Sequence, residues 1–346
     1  MLHKINIGIL FLTTFLATTA LFPCTAQNNS NIARESIAAT NVIWPAKLQK
    51  EVEFLCDSIC DGRATGTRGN IEAGFHILRK FEKIGLLPLI SATTGDTTFV
   101  KHFYAGKGMV GHNIIGMVAG SKKNPCDRYV IVGAHYDHIG NLAGTMYPGA
   151  DANASGTVAM ISLAEMFRAM KILGCTFKSN ILFVAFDSKE MNLAGSNGLW
   201  EMLERGDLLD PLSGKPIRSS KISLMVNIDQ VGCTLSPVSK DRPDYLIMLG
   251  NHSLPTGKRD ALKMCNRMYG LNLHLSYDYY GSRNFTDIFY TLSDQKVFVQ
   301  NHIPAVLFTS GITMNNNKKR DLPNTLDYDI LCKRIELMHH WLCKML

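Results

Sequence analysis

The sequence predicts a three-layer α/β sandwich, a mixed and mainly parallel sheet with helices on both faces. Six short apolar runs rich in Val, Ile, Leu and Phe occupy residues 113–118, 129–132, 180–186, 224–229, 245–249 and 305–309. Runs of this kind suit strands buried on both faces. Helical patterns lie between and after them, at 156–170, 195–204, 258–269 and 328–346. Three of the runs also end in clusters of His, Asp and Glu, and functional groups of open α/β sheets gather at the C-terminal strand ends.

The elements follow in order. Residues 1–26 read as a secretory signal: Lys4 gives the positive start, 9–22 are mostly apolar, and Cys24-Thr-Ala26 offers small residues before a cut at Gln27. The apolar run is too short for a membrane span, and no later segment is long enough, so no transmembrane segment is expected. Secretion or a periplasmic location follows. Lipid anchoring through Cys24 is the other reading, but Leu21-Phe22-Pro23 fits a lipidation site poorly. Residues 52–59 and 70–84 read as helices, the second stopped by Gly85. The polar stretches 205–219 and 236–243, with Gly and Pro, read as surface insertions. Neither a repeat nor a linker interrupts residues 27–346, which form a single expected domain.

Composition sets limits on function. The 346 residues are 46% hydrophobic and 19% charged, with 28 Gly and 12 Pro, which excludes a disordered, collagenous or coiled-coil chain. The net charge of +7 comes without a long Lys/Arg block, and no nucleic-acid partner is expected. Eight cysteines follow the signal, at 56, 60, 126, 175, 233, 265, 332 and 343, with no C-x-x-C pair. Mostly buried thiols with one or two bridges are expected.

The chemistry gathers at three strand ends: Gly133-Ala-His135-Tyr-Asp137-His138, Asp187-Ser-Lys-Glu190 and Asn227-Ile-Asp229. One His and two carboxylates at a sheet edge are the raw material of a zinc site. Further motifs surround them: Gly62-Arg63-Ala-Thr-Gly66-Thr, Pro148-Gly-Ala-Asp151-Ala-Asn153-Ala-Ser-Gly156, Phe183-Val-Ala-Phe186, Leu193-Ala-Gly195-Ser196, Ser293-Asp294 and Ile303-Pro304. In this order and spacing, from about residue 50 to 330, the chain resembles the zinc aminopeptidases of phosphorylase/hydrolase-like fold, a family that includes glutaminyl cyclases.

The resemblance implies two zinc ions sharing a water, five ligands and a Glu general base. The first His falls on His135, a ligand Glu on Glu190 and a second Asp on Asp229. Asp137 falls where the family orients that His with a carboxylate. The bridging Asp falls on Ala152, whose methyl group cannot bind metal, while Asp151 beside it should point elsewhere. The general base falls on Lys189, protonated at neutral pH with a reference pKa near 10.4. An ammonium about 5 Å from a divalent ion is repelled by roughly 6 kcal/mol at an effective dielectric of 20. A late His should follow the strand at 305–309, but no His lies between His302 and His339, and the loop holds Lys318, Lys319 and Arg320 instead. Two protein ligands fall short of the three or four of known zinc sites. The resemblance therefore implies zinc, and the substitutions imply that zinc is weakly held or absent. The main reading is an inactive pseudo-peptidase that binds a peptide or small polar ligand in the old cleft. An active aminopeptidase or glutaminyl cyclase with a rebuilt single-metal site is the alternative, and a partner-binding module with an empty cleft is the third.

Overall fold

The computed structural model describes residues 24–346 apart from 107, 122–125, 235–241 and 280, with side chains from Ile32 onward. The expected signal lies outside the described residues except for Cys24–Ala26, which begin helix α1 (Cys24–Thr40). The other helices are α2 (Pro45–Cys56), α3 (Arg68–Ile84), α4 (Gly156–Ile172), α5 (Ala194–Arg205), α6 (Ala261–Met268), α7 (Arg283–Tyr290), α8 (Lys296–Gln300) and α9 (Tyr328–Met345). The strands are β1 (Leu87–Ser91), β2 (Thr97–Thr98), β3 (Val100–Gly106), β4 (Met109–Val118), β5 (Tyr129–His135), β6 (Gly140–Leu142) and β7 (Thr145–Tyr147). They continue with β8 (Asn180–Phe186), β9 (Leu208–Leu209), β10 (Ile222–Ile228), β11 (Tyr245–Leu249), β12 (His274–Ser276) and β13 (Ala305–Thr309). No helix among the described residues is long and apolar enough to cross a membrane.

The main sheet runs β12-β11-β13-β10-β5-β8-β4-β1-β2, with β3 on β4 and β9 on β1. Its centre, β13-β10-β5-β8, is parallel, while β4 and β11 join antiparallel. This is the expected mixed sandwich. Alternate residues of the central strands serve opposite faces. Val130, Val132 and Ala134 of β5 pack with α2, α3, α4 and α9. Tyr129 and Ile131 pack with Leu199 and Leu203 of α5 and Phe298 of α8. Trp341 of α9, wholly buried, meets Phe308 of β13 edge to face at 5.1 Å; burying such a side chain contributes about 1.5–3 kcal/mol.

Two expectations are corrected. The stretch 205–219 is not a free surface insertion. Strand β9 pairs with β1, Leu208 and Ile217 join the second core, and the Tyr129 hydroxyl donates to buried Asp210 at 2.6 Å. The expected disulfides are also missing: all eight cysteines that follow the expected signal are free, five of them buried. An even count does not bring sulfurs into bonding range, and here thiols fill core gaps as small apolar groups, Cys343 against Met170 at 3.7 Å.

One buried side chain locks the loops beneath the strand ends. Arg63 closes the 3-10 segment Ser58–Arg63 and is fully buried. Its guanidinium donates to the carbonyls of Tyr136 at 2.8 Å, Pro148 at 2.7 Å and Gly149 at 2.9 Å, and to that of Leu55. Gly62 before it has φ +70°, and a Cβ there would stand 2.6 Å from the carbonyl oxygens of Gly140 and Tyr147, so only glycine fits. Replacing Arg63 by Ala would leave the buried carbonyls of Leu55, Tyr136 and Pro148 without their donor, while that of Gly149 keeps the Ala154 N–H at 3.1 Å. A loss of about 3–5 kcal/mol in urea unfolding is expected; a midpoint unchanged from wild type would contradict this role.

Candidate functional site at the strand ends

Register brings the three clusters together. Gly133 of β5 sits opposite Asn227 of β10, and His135 opposite Phe186 of β8. His135, Lys189-Glu190 and Asp229 therefore emerge side by side at the C-terminal sheet edge. Thr157 of α4 donates to the His135 carbonyl at 2.8 Å and fixes the end of β5.

His135 is fully buried. Its Nε2 donates to Asp229 Oδ1 at 3.3 Å and its Nδ1 to the Asp137 carbonyl at 3.1 Å. Burial opposes the charged ring, but the Asp229 carboxylate outweighs it and raises the imidazole to about 10. Burial likewise opposes the Asp229 carboxylate, and His135, Lys189 and the Ser293 hydroxyl, which donates to Oδ2 at 2.6 Å, hold it well below the usual carboxylate range. Both are charged at neutral pH, and the ring uses both of its N–H groups.

Asp137 does more than orient His135. Its carboxylate is 3.6 Å from Nδ1 but accepts the backbone N–H of Lys189 and of Glu190, each at 3.0 Å. It thus sets the turn after β8. On that turn Lys189 Nζ donates to Glu190 Oε1 at 3.0 Å. Burial works against the ammonium, while the Asp229 and Glu190 carboxylates outweigh it and hold its pKa above the usual lysine range.

Ala152 and Asp151 lie in the turn 150–155 ahead of α4. The Ala152 side chain is a methyl, 5% exposed. Asp151 turns away from Lys189: its Oδ1 accepts from the backbone N–H of Gly232 and Cys233 and from Ser155 Oγ. Sequence reasoning missed Asp321, whose carboxylate accepts the N–H of Asp151 at 2.9 Å and of Ala152 at 3.1 Å. It also missed the Ser293 contact to Asp229, for which the motif Ser293-Asp294 was the only signal. In the loop where a His was sought, Asn316 accepts from Gln230, the residue after Asp229, and Lys318, Lys319 and Arg320 are exposed. His138 is buried near the cluster with neither ring nitrogen hydrogen-bonded, and burial, with Arg63, His135 and Lys189, keeps it neutral, lowering it to about 2. Among the described residues, no three His, Cys, Asp or Glu side chains converge in a way that could hold a metal ion.

Residues 113–342 match the model of Peptidase family M28. The chain belongs to that family. Over 129 residues, 37% of this chain and 23% of the relative, it is 30% identical to aminopeptidase YwaD of Bacillus subtilis. The chain spans less than a quarter of the length of the curated relatives it matches. BSAP, a zinc aminopeptidase from Bacillus subtilis, superposes with a TM-score of 0.62 at 14% identity, over 87% of this chain and 95% of that one. A glutaminyl cyclase of Fimbriiglobus ruber gives 0.64 at 18% identity, over 87% and 95%. At such identities the likeness establishes the fold.

Two outcomes follow from the ion pairs. A ring raised in the folded state contributes stability that is complete below its unfolded value of about 6.5 and is lost as pH rises through the folded one. Stability to urea is therefore expected to fall between pH 6.5 and 10, and His135→Asn to flatten that slope; equal slopes in the two proteins would refute the pairing. Separately, Lys189→Ala leaves Glu190 and Asp229 without their ammonium. The pair is partly exposed, with Lys189 and Glu190 side chains at 23% and 31%, so a loss of about 1–2 kcal/mol is expected at pH 7. A wild-type melting temperature would count against it.

Proposed function

We propose that this chain is an exported M28-family domain whose two-zinc hydrolytic centre has been replaced by an internal ion-pair network, and that it binds a peptide or small polar ligand in the cleft without cleaving it. The observation that carries the reading is Lys189. Its ammonium sits on Glu190, the expected ligand, and feels the charge of Asp229, the other expected carboxylate.

The donor set does not fit a pair of zinc ions. At the position of the bridging carboxylate stands the Ala152 methyl group. His135 and Asp229, the two remaining candidates for one ion, are bonded to each other, and two protein ligands fall short of the three or four of known zinc sites. For the other ion Glu190 alone remains, paired with a cation. A protonated lysine also cannot take a proton from water, a function worth typically about 10²–10⁴-fold in rate. No hydrolytic step is therefore derived. What the residues can do is bind: Lys189 can donate to a ligand carbonyl or carboxylate, and Glu190 can accept from an amine.

The apolar, positively started segment 1–26 supports export. The test of the whole reading is metal analysis of protein purified without chelator, together with assays on aminoacyl chromogenic and N-terminal glutaminyl substrates. Far less than two equivalents of zinc and no turnover are expected. Ala152→Asp, Lys189→Glu and a His placed in the 315–320 loop should regain zinc only in combination. Chelator-sensitive cleavage by contaminant-free wild-type protein would falsify the proposal.

A further inference from the structure

The hairpin of β3 and β4 carries two histidines away from the cluster just described. His102 and His112 are direct cross-strand partners, on the face that also shows exposed Tyr104 and Val110. Their Nδ1 atoms are 2.8 Å apart, and the rings meet edge to face at 85° with centroids 4.9 Å apart. The geometry points to a surface site for a divalent transition-metal ion of the Cu(II) or Ni(II) class, chelated by these two Nδ1 atoms.

The donor set, two imidazole nitrogens on one face of a hairpin, decides the class of ion. Two nitrogens about 2.0 Å from one ion stand about 2.8 Å apart when they are cis at a right angle, and about 3.3 Å apart at a tetrahedral angle. The observed 2.8 Å is the hydrogen bond between the two rings and places both Nδ1 atoms within reach of one ion; tetragonal ions with nitrogen ligands are Cu(II) and Ni(II). Two imidazoles are few for zinc, whereas Cu(II) heads the divalent affinity order. Water completes the coordination at this open position.

The scaffold favours the site as well. Val100 pairs with Ile114, Lys101 with Asn113 and Phe103 with Gly111 in the same ladder, so both Cα positions are fixed before an ion arrives. Without an ion the Nδ1 atoms share one hydrogen, which demands different tautomers or charge states of the two rings. An ion replaces that single hydrogen bond by two coordinate bonds, after each ring turns its lone pair outward. The site touches the cleft at second hand: the His112 N–H donates to Asp187 Oδ2 at 3.0 Å, and Asp187 Oδ1 accepts the N–H of Ser188 at 2.7 Å, one residue before Lys189.

Untagged protein, dialysed against chelator and then buffer, is titrated with CuCl₂ or NiCl₂ by calorimetry, with electron paramagnetic resonance of the Cu(II) form. One equivalent is expected, with nitrogen coupling in the copper spectrum. His102→Ala and His112→Ala, checked for folding by circular dichroism, should each weaken binding at least about tenfold. The cleft variant His135→Asn, or Glu190→Gln if that protein does not fold, should leave binding unchanged. No binding, binding indifferent to both hairpin variants, or binding lost in the cleft variant overturns the assignment.

Discussion

A buried guanidinium with only neutral partners holds the cleft in place. Arg63 gathers the end of α2 through Leu55, the chain leaving β5 through Tyr136, and the turn toward Ala152 through Pro148 and Gly149. Each of these segments has carbonyls that neither helix nor sheet uses, and a buried carbonyl without a donor costs about 1–3 kcal/mol. One planar group with five N–H donors answers them together. Arg334 repeats the device on the other side, donating to the carbonyls of Val231, Cys233 and Tyr245 just beyond Asp229. The strand ends that meet at the site are thus fixed by cations that play no part in its chemistry.

How much of this could be read in the sequence depended on what kind of contact was involved. Strands 180–186, 245–249 and 305–309 are continuous apolar runs, and their bounds agree with the structure to the residue. Strand β3 was invisible because Lys101 occupies its buried face, its ammonium donating to the Leu89 carbonyl at 3.0 Å, and a lysine there breaks the two-residue rhythm. The docking of 205–219 was hidden by Gly, Pro and charge around only two anchoring apolar residues, Leu208 and Ile217. At the site, the residues carried by motifs were legible. Asp321 was not, because a carboxylate bonded to the backbone N–H of Asp151 and Ala152 leaves no mark on the residue types it contacts. The even cysteine count misled for a similar reason: it records composition and says nothing of where sulfurs lie.

The site residues also show how one shape holds different charges. Two cations, the His135 ring and the Lys189 ammonium, face the carboxylates Glu190 and Asp229, with Asp137 3.6 Å from the ring, so internal cations offset most of the negative charge. Asp137 keeps its place in this balance by bonding to the backbone of residues 189 and 190. That bond needs only a carboxylate and two peptide groups, so it is indifferent to which side chains those residues carry. The turn can therefore keep its form while the charge at position 189 changes sign.

The adjacency of Lys189 and Glu190 has a consequence for how such a chain can drift. A carboxylate introduced at 189 by itself would replace the ammonium on Glu190 and leave the His135 ring as the cation facing the carboxylates. On the proposed reading, that step lowers the stability of the domain before any ion can reward it. The substitutions would then be epistatic, each acceptable only in the company of the others. On the proposed reading, a chain in the ion-paired arrangement would cross a valley to reach a metal-binding one, its depth set by electrostatics within a few ångströms rather than by any change of fold.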